Sequence, residues 1–152
     1  MNIDIFKKQH ISQSPKETSD LAFSLAETLK GGEVLLLFGN LGSGKTLFLQ
    51  GLAKGLGVKD VVNSPTFNIL KLYNVKGNKN IKKFCHIDAY RLNSGKDLEE
   101  LGIREIWKNG DTVIAIEWAE KIEDIFPDDY IKVSINPISE SSRGIKIIKK
   151  AK

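Results

Sequence analysis

The stretch that most constrains this chain is glycine-rich, Gly39-Asn40-Leu41-Gly42-Ser43-Gly44-Lys45-Thr46, and it lies between an apolar run and an amphipathic one. Val34-Leu35-Leu36-Leu37-Phe38 precedes it and reads as a buried strand. Leu49, Leu52, Ala53 and Leu56 follow at helical spacing, and Gly57 closes the helix. Strand, glycine loop and helix in that order form the context required by the phosphate-binding pattern G-x-x-x-x-G-K-[ST]. The glycines let successive backbone N–H groups turn toward one anion, and the helix adds the positive end of its dipole. Lys45 is placed to reach the β- and γ-phosphates of a nucleotide, and the Thr46 hydroxyl to ligate Mg²⁺. Asn40, Leu41, Gly42, Ser43 and Gly44 supply the backbone of the cradle.

The rest of the composition sets bounds. A length of 152 residues with 41% hydrophobic content suits one domain, 1–152, with a single substantial core. No apolar run approaches the roughly 20 residues that span a bilayer, and the start Met1-Asn2-Ile3-Asp4-Ile5-Phe6 lacks the pattern of a secretory signal. A single cysteine, Cys85, has no internal partner, so a reducing cytoplasm is the expected compartment. The net charge of +4 comes largely from Lys76, Lys79, Lys82 and Lys83 and from a lysine-rich tail at 146–152. Such a surface either holds nucleic acid or an acidic partner weakly, or is simply solvated. No aromatic-interleaved basic motif accompanies it.

Along the chain, Ser14-Pro15-Lys16-Glu17 predicts a capped helix start, and Leu21, Ala22, Leu25, Ala26 and Leu29 share its inward face. Gly31-Gly32 then releases the first buried strand. Two strand-like runs, Phe67 to Val75 and Ile81 to Ile87, flank a Gly/Asn turn and predict an antiparallel hairpin inserted into an otherwise parallel sheet. Leu98 and Leu101 mark a short helix that Gly102 breaks before Ile103 to Trp107. Thr112-Val113-Ile114-Ala115-Ile116 reads as a parallel strand covered on both faces, followed by a short helix before Pro127. Alternation at Ile131, Val133 and Ile135, and again at Ile145 and Ile147, predicts two half-exposed strands at a sheet edge.

Two carboxylates stand at predicted strand ends. Glu117 closes the apolar strand and is the candidate metal-side carboxylate; the alternative is a solvent-facing strand end. Asp88 ends the second hairpin strand, at the sheet edge where ligands of open α/β folds collect. It either orients or deprotonates a water and supports the metal, or caps a turn. Trp118 covers the nucleotide pocket, docks a partner or fills core. Thr66 either senses the γ-phosphate or is an ordinary turn hydroxyl. Cys85, His86 and Asp88 do not make a metal cluster, because alternate strand residues point to opposite faces. His10 reads as polar surface. Asn78-Lys79 begins a guanine-reading pattern, but Ile81 stands where its aspartate belongs, so ATP is the expected nucleotide.

In this order the motifs GNLGSGKT at 39–46, SPTF at 64–67, HIDAYRL at 86–92, LEELGIREIW at 98–107 and IEW at 116–118 resemble the TsaE-type (YjeE-type) ATPases of bacterial tRNA threonylcarbamoyladenosine synthesis. The resemblance spans about 14–143. It implies a P-loop NTPase three-layer α/β fold, with a mostly parallel central sheet carrying an antiparallel hairpin and edge strands. It also implies Mg²⁺-ATP, slow hydrolysis stimulated by partners, and joint work with the proteins TsaD and TsaB, with tRNA engaged indirectly or weakly. Carried over by position, Lys45 and Thr46 match the phosphate and metal ligands, and Glu117 the metal-associated carboxylate. Asp88 and Trp118 match positions important for activity, Thr66 falls in a switch-like segment, and Arg143 matches a late basic position that contacts nucleotide. The chain departs from the pattern at Phe67, Ala89 and Ala119. Two other functions fit a phosphate-binding loop: a small-molecule kinase, for which little chain remains to build an acceptor pocket, and a nucleotide-dependent interaction module without turnover.

Overall fold

The computed structural model describes residues 5–6, 9–40, 42–63 and 68–151. Leu41 and Thr66, and with Thr66 the whole SPTF segment at 64–67, lie outside them.

Seven strands form one sheet in the order β1-β7-β6-β2-β5-β4-β3. They are β1 (Gln9–Ser12), β2 (Val34–Phe38), β3 (Leu70–Asn74), β4 (Lys83–Asp88), β5 (Thr112–Glu117), β6 (Tyr130–Pro137) and β7 (Arg143–Lys150). The four central strands, β6, β2, β5 and β4, run parallel. β7 and β1 on one side and β3 on the other are antiparallel. With as many antiparallel pairings as parallel ones, the sheet is mixed rather than mostly parallel.

Local chemistry explains the first helix, α1 (Pro15–Thr28). The Ser14 hydroxyl accepts from the Glu17 amide at 3.1 Å and Pro15 occupies the first turn. The Glu17 carboxylate reaches back one residue further than a standard capping box, to the Gln13 amide at 3.2 Å. The second helix, α2 (Lys45–Leu56), starts on Gly44 and ends on Gly57, both in the left-handed region. α1 lies close along α2 because Gly51 and Gly55 carry no side chain: a Cβ at Gly51 would run into the Ser19 carbonyl, and one at Gly55 would sit 2.7 Å from the Ala26 Cβ.

α1 and α2 cover one face of the sheet, where Leu25, Phe48, Leu49 and Leu52 pack on Leu35, Leu37, Val113 and Ala115. On the other face Leu36, Ile87, Ile114 and Ile116 meet Leu98 of α3 (Gly95–Glu99), Ile103 of α4 (Ile103–Trp107) and Ile122 of a 3-10 segment (Ala119–Ile125). Covering on both faces is why β2 and β5 are apolar at nearly every position. Each fully buried leucine or isoleucine contributes on the order of 1.5–3 kcal/mol.

Two expectations are corrected. β6 and β7 are not the sheet edge: β6 lies between β2 and β7, and the four-residue β1 covers β7. β1 is a short edge strand in which Ser12 alone is buried, so Gln9-His10-Ile11-Ser12 carries little apolar signal. The lysine-rich tail is mostly strand: Lys146, Lys149 and Lys150 belong to β7, pairing with Ser134, Ile131 and Tyr130. The hairpin forms as expected, with shorter strands, and the Asn78 side chain closes its turn by accepting from the Asn80 and Ile81 amides. Among the described residues, no helix is long and apolar enough to cross a membrane.

Candidate functional site

The sheet brings the sequence candidates to one edge. β4 and β5 pair in register so that Asp88 lies directly beside Glu117, and Glu117 in turn lies beside Leu37, one residue before the end of β2. The glycine loop leaves β2 at this edge. Gly42, Ser43, Gly44, Lys45 and Thr46 line a cleft of about 430 Å³ together with Asp88, Glu117 and Trp118.

Gly44 adopts φ +107° as it opens α2, a conformation costly for any residue with a Cβ. At Gly42 and Gly44 nothing lies within 4 Å of where a Cβ would stand, so the backbone is approachable there. Asn40 contributes its carbonyl, which accepts from the Ser43 amide at 3.0 Å. The Ser43 hydroxyl is buried without a hydrogen-bond partner among the described residues.

Lys45 is buried and folded back on its own loop. Its ammonium donates to the Gly39 carbonyl and stands 3.6 Å from the centroid of the Trp118 ring. Burial lowers its pKa from the usual lysine value, while Glu117, Glu120 and Asp88 pull the other way. Trp118 follows β5 with φ 57°, the one non-glycine residue with positive φ among those described, and its ring also meets Tyr90 at 5.0 Å.

The two carboxylates have different surroundings. Asp88 is half-buried, and its Oδ1 accepts from the Tyr90 amide at 3.0 Å, so it caps a turn and lines the cleft at once. Glu117 is buried, 3% exposed, and its Oε2 lies 2.7 Å from His86 Nε2.

Arg143 is elsewhere. From β7 its Nε donates to the Ser43 carbonyl at 3.0 Å, and its Nη1 donates to the carbonyls of Ser139 and Ser142 and, at 3.5 Å, of Glu140. It lines a separate hollow of about 90 Å³ beside Gly44 and Pro15. Arg143 therefore holds the glycine loop by its backbone.

Two residues at the site escaped the sequence reading. Gln50, on α2, lines the cleft and donates to the Val62 carbonyl at 2.9 Å, tying α2 to the chain that leads toward residue 64. His86 is fully buried against Phe84, on the sheet face opposite Cys85. The period of two along β4 puts Phe84, His86 and Asp88 on one side, and that signal was present in the sequence. Asn78-Lys79 occupies the turn before β4, at the end of the sheet away from the cleft.

Comparison with known proteins gives this arrangement a family. A family model described as "Threonylcarbamoyl adenosine biosynthesis protein TsaE" matches residues 12–145. The chain belongs to the TsaE family. Relatives bearing the name "tRNA threonylcarbamoyladenosine biosynthesis protein TsaE" include that of Bacillus subtilis, 39% identical over 87% of this chain and 79% of its own length. The Treponema pallidum relative is 32% identical over 90% of this chain and 97% of its own length. The crystal structure of Bacillus subtilis YdiB superposes with a TM-score of 0.76 at 32% identity, covering 95% of this chain and 86% of that one. The TsaE match thus encloses the loop, both carboxylates, His86, Trp118 and Arg143, and the motif resemblance pointed to the same family.

Proposed function

We propose that the protein is a Mg²⁺-dependent, ATP-binding and ATP-hydrolysing P-loop subunit of the bacterial machinery that makes threonylcarbamoyladenosine in tRNA. In this reading it acts with TsaD and TsaB to support repeated turnover. The observation that carries the reading is the in-register placement of Asp88 beside Glu117 at the strand ends where the glycine loop departs. The names of the TsaE relatives supply the pathway.

The residues present suit the nucleotide and its metal. Gly42 and Gly44 leave room for phosphate oxygens to approach backbone amides, and the start of α2 favours negative charge. Glu117, Asp88 and the Thr46 hydroxyl offer hard oxygen donors. Mg²⁺ is usually held by one or two carboxylates together with substrate phosphates rather than by a full protein cage. Among the described residues no group of three or more His, Cys, Asp or Glu forms such a cage. Bound Mg²⁺ supplies charge neutralisation on the phosphate oxygens. Thr46 and Glu117 hold it, directly or through water. Lys45 leaves Gly39 and Trp118 to pair with phosphate as a point charge. Asp88, the more exposed carboxylate, orients or deprotonates the attacking water. Arg143 keeps the loop in shape from behind. The lysines of β7 offer at most weak contact to tRNA, and the cytoplasm is the compartment this work implies.

Calorimetry with Mg²⁺-ATP and phosphate release, alone and with TsaD and TsaB, test the reading. Lys45→Ala is expected to abolish nucleotide binding or turnover. Glu117→Ala is expected to retain binding and lose Mg²⁺-dependent hydrolysis. Undiminished ATPase activity in both variants, or no saturation by millimolar Mg²⁺-ATP in the unaltered protein, would overturn it. Hydrolysis that stays negligible with both partners would leave an interaction module, and a phosphorylated small-molecule acceptor would make it a kinase.

A further inference from the structure

We propose that His86 is a positioning residue for Glu117. Its imidazole holds one carboxylate oxygen through Nε2 and so aims the other toward the divalent cation that accompanies the nucleotide. The proposal rests on the reading of Glu117 as the metal-side carboxylate.

The argument starts from burial. His86 is 0% exposed and Glu117 3% exposed, and both sit on the sheet face packed beneath α1 and α2. A polar side chain buried there is costly unless it is hydrogen-bonded. His86 lies beside Ala115 in the β4–β5 register, two residues before Glu117 on the same face, and the two side chains meet at 2.7 Å. That is a charge-assisted distance.

The second ring nitrogen decides the tautomer. Nδ1 is buried and has no hydrogen-bond partner among the described residues. An N–H there would be an orphaned donor, whereas an unshared lone pair is tolerated far better. The proton therefore sits on Nε2 and is donated to Glu117 Oε2, which must accept it as a carboxylate oxygen. The ring is enclosed, 0% exposed and beside Phe84 with centroids 6.4 Å apart and 21° between planes. Imidazole and carboxylate thus form one rigid unit ending in the cleft. Groups that orient a ligating carboxylate in this way commonly change metal affinity or activity when removed.

Side-chain ¹⁵N spectra of the nucleotide-free protein test the tautomer, with a His10→Gln variant assigning the only other histidine. The expected result is a proton on Nε2 of His86; a proton on Nδ1 overturns the proposal. Mn²⁺ titrated into ATP-loaded protein and followed by electron paramagnetic resonance tests the consequence. His86→Leu, which fills the space without a donor, is expected to weaken Mn²⁺ binding by ~10–100-fold. Its affinity for metal-free ATP should stay within about twofold, so by linkage its KM for Mg²⁺-ATP should rise by a factor similar to the loss of Mn²⁺ affinity. His86→Gln, which keeps an N–H donor, should recover most of the loss. If wild type binds Mn²⁺ with ATP and His86→Leu binds it equally well, this proposal falls alone. If wild type itself binds neither, the nucleotide reading falls with it. Should His86→Leu fail to fold, the tautomer spectrum still decides.

Discussion

The ammonium of Lys45 stands 3.6 Å from the ring centroid of Trp118, and it donates at the same time to the carbonyl of Gly39. A desolvated cation over an indole face is stabilised by about 2 kcal/mol. The contact is the more pointed because Trp118 holds φ 57°, at a backbone cost of roughly 1–2 kcal/mol. Lys45 cannot serve a phosphate and keep this place, so nucleotide binding, as proposed, separates the pair. With Trp107→Phe leaving Trp118 as the sole tryptophan, Mg²⁺-ATP is expected to change its emission intensity and wavelength. A spectrum unmoved by saturating nucleotide would show that the two residues stay together.

Arg143 reaches across from β7 to the Ser43 carbonyl, and a hydrogen bond from a charged donor of this kind is worth about 1.5–3 kcal/mol. Half-exposure reduces that, so Arg143→Ala should lower unfolding free energy by about 1–2 kcal/mol in urea titrations. Nucleotide affinity should drop by roughly tenfold, since one loop carbonyl loses its anchor. Arg143→Lys is expected to rescue little, because a lysine cannot bridge Ser43, Ser139 and Ser142 with one planar fork.

Burial pushes the Cys85 thiol up to about 12. Below that value the protonated form dominates, and only the thiolate attacks disulfide reagents. At pH 8 almost none of the thiol is ionised, and the group is also shielded. An aromatic disulfide reagent is therefore expected to leave the native protein untouched and to react fully in denaturant. Prompt reaction under native conditions would contradict the burial of Cys85 in the core beneath that face of the sheet.

The Ser14 cap bears on stability alone. Ser14→Ala removes the acceptor for the Glu17 amide and should cost about 1 kcal/mol, read as a lower denaturation midpoint with an unchanged slope. Nucleotide affinity should change little, since Ser14 is not among the residues lining the larger cleft.

Much of this molecule was written locally. The glycine loop, the apolar β2, the Ser14-Pro15 start and the Gly57 stop depend on residues within a few positions of one another. Their expectations held because turn chemistry and periodicity act over that range. The strand ends at Asp88 and Glu117 were legible for the same reason. β1 was not, since a short edge strand in which Ser12 alone is buried leaves little pattern behind. Nor was the strand nature of the terminal lysines, which only pairing with β6 reveals.

The sequence alone determined which groups this protein could bring to bear: a flexible amide-rich bend, one ammonium, and two acids at the tips of strands. Tertiary structure decided how they are set against each other. His86 and Glu117 are separated by 31 positions, and Arg143 and Ser43 by 100. Nothing in local spacing ties such partners, because their meeting depends on which strands are neighbours and in what register, and those are fixed only when the whole core is buried.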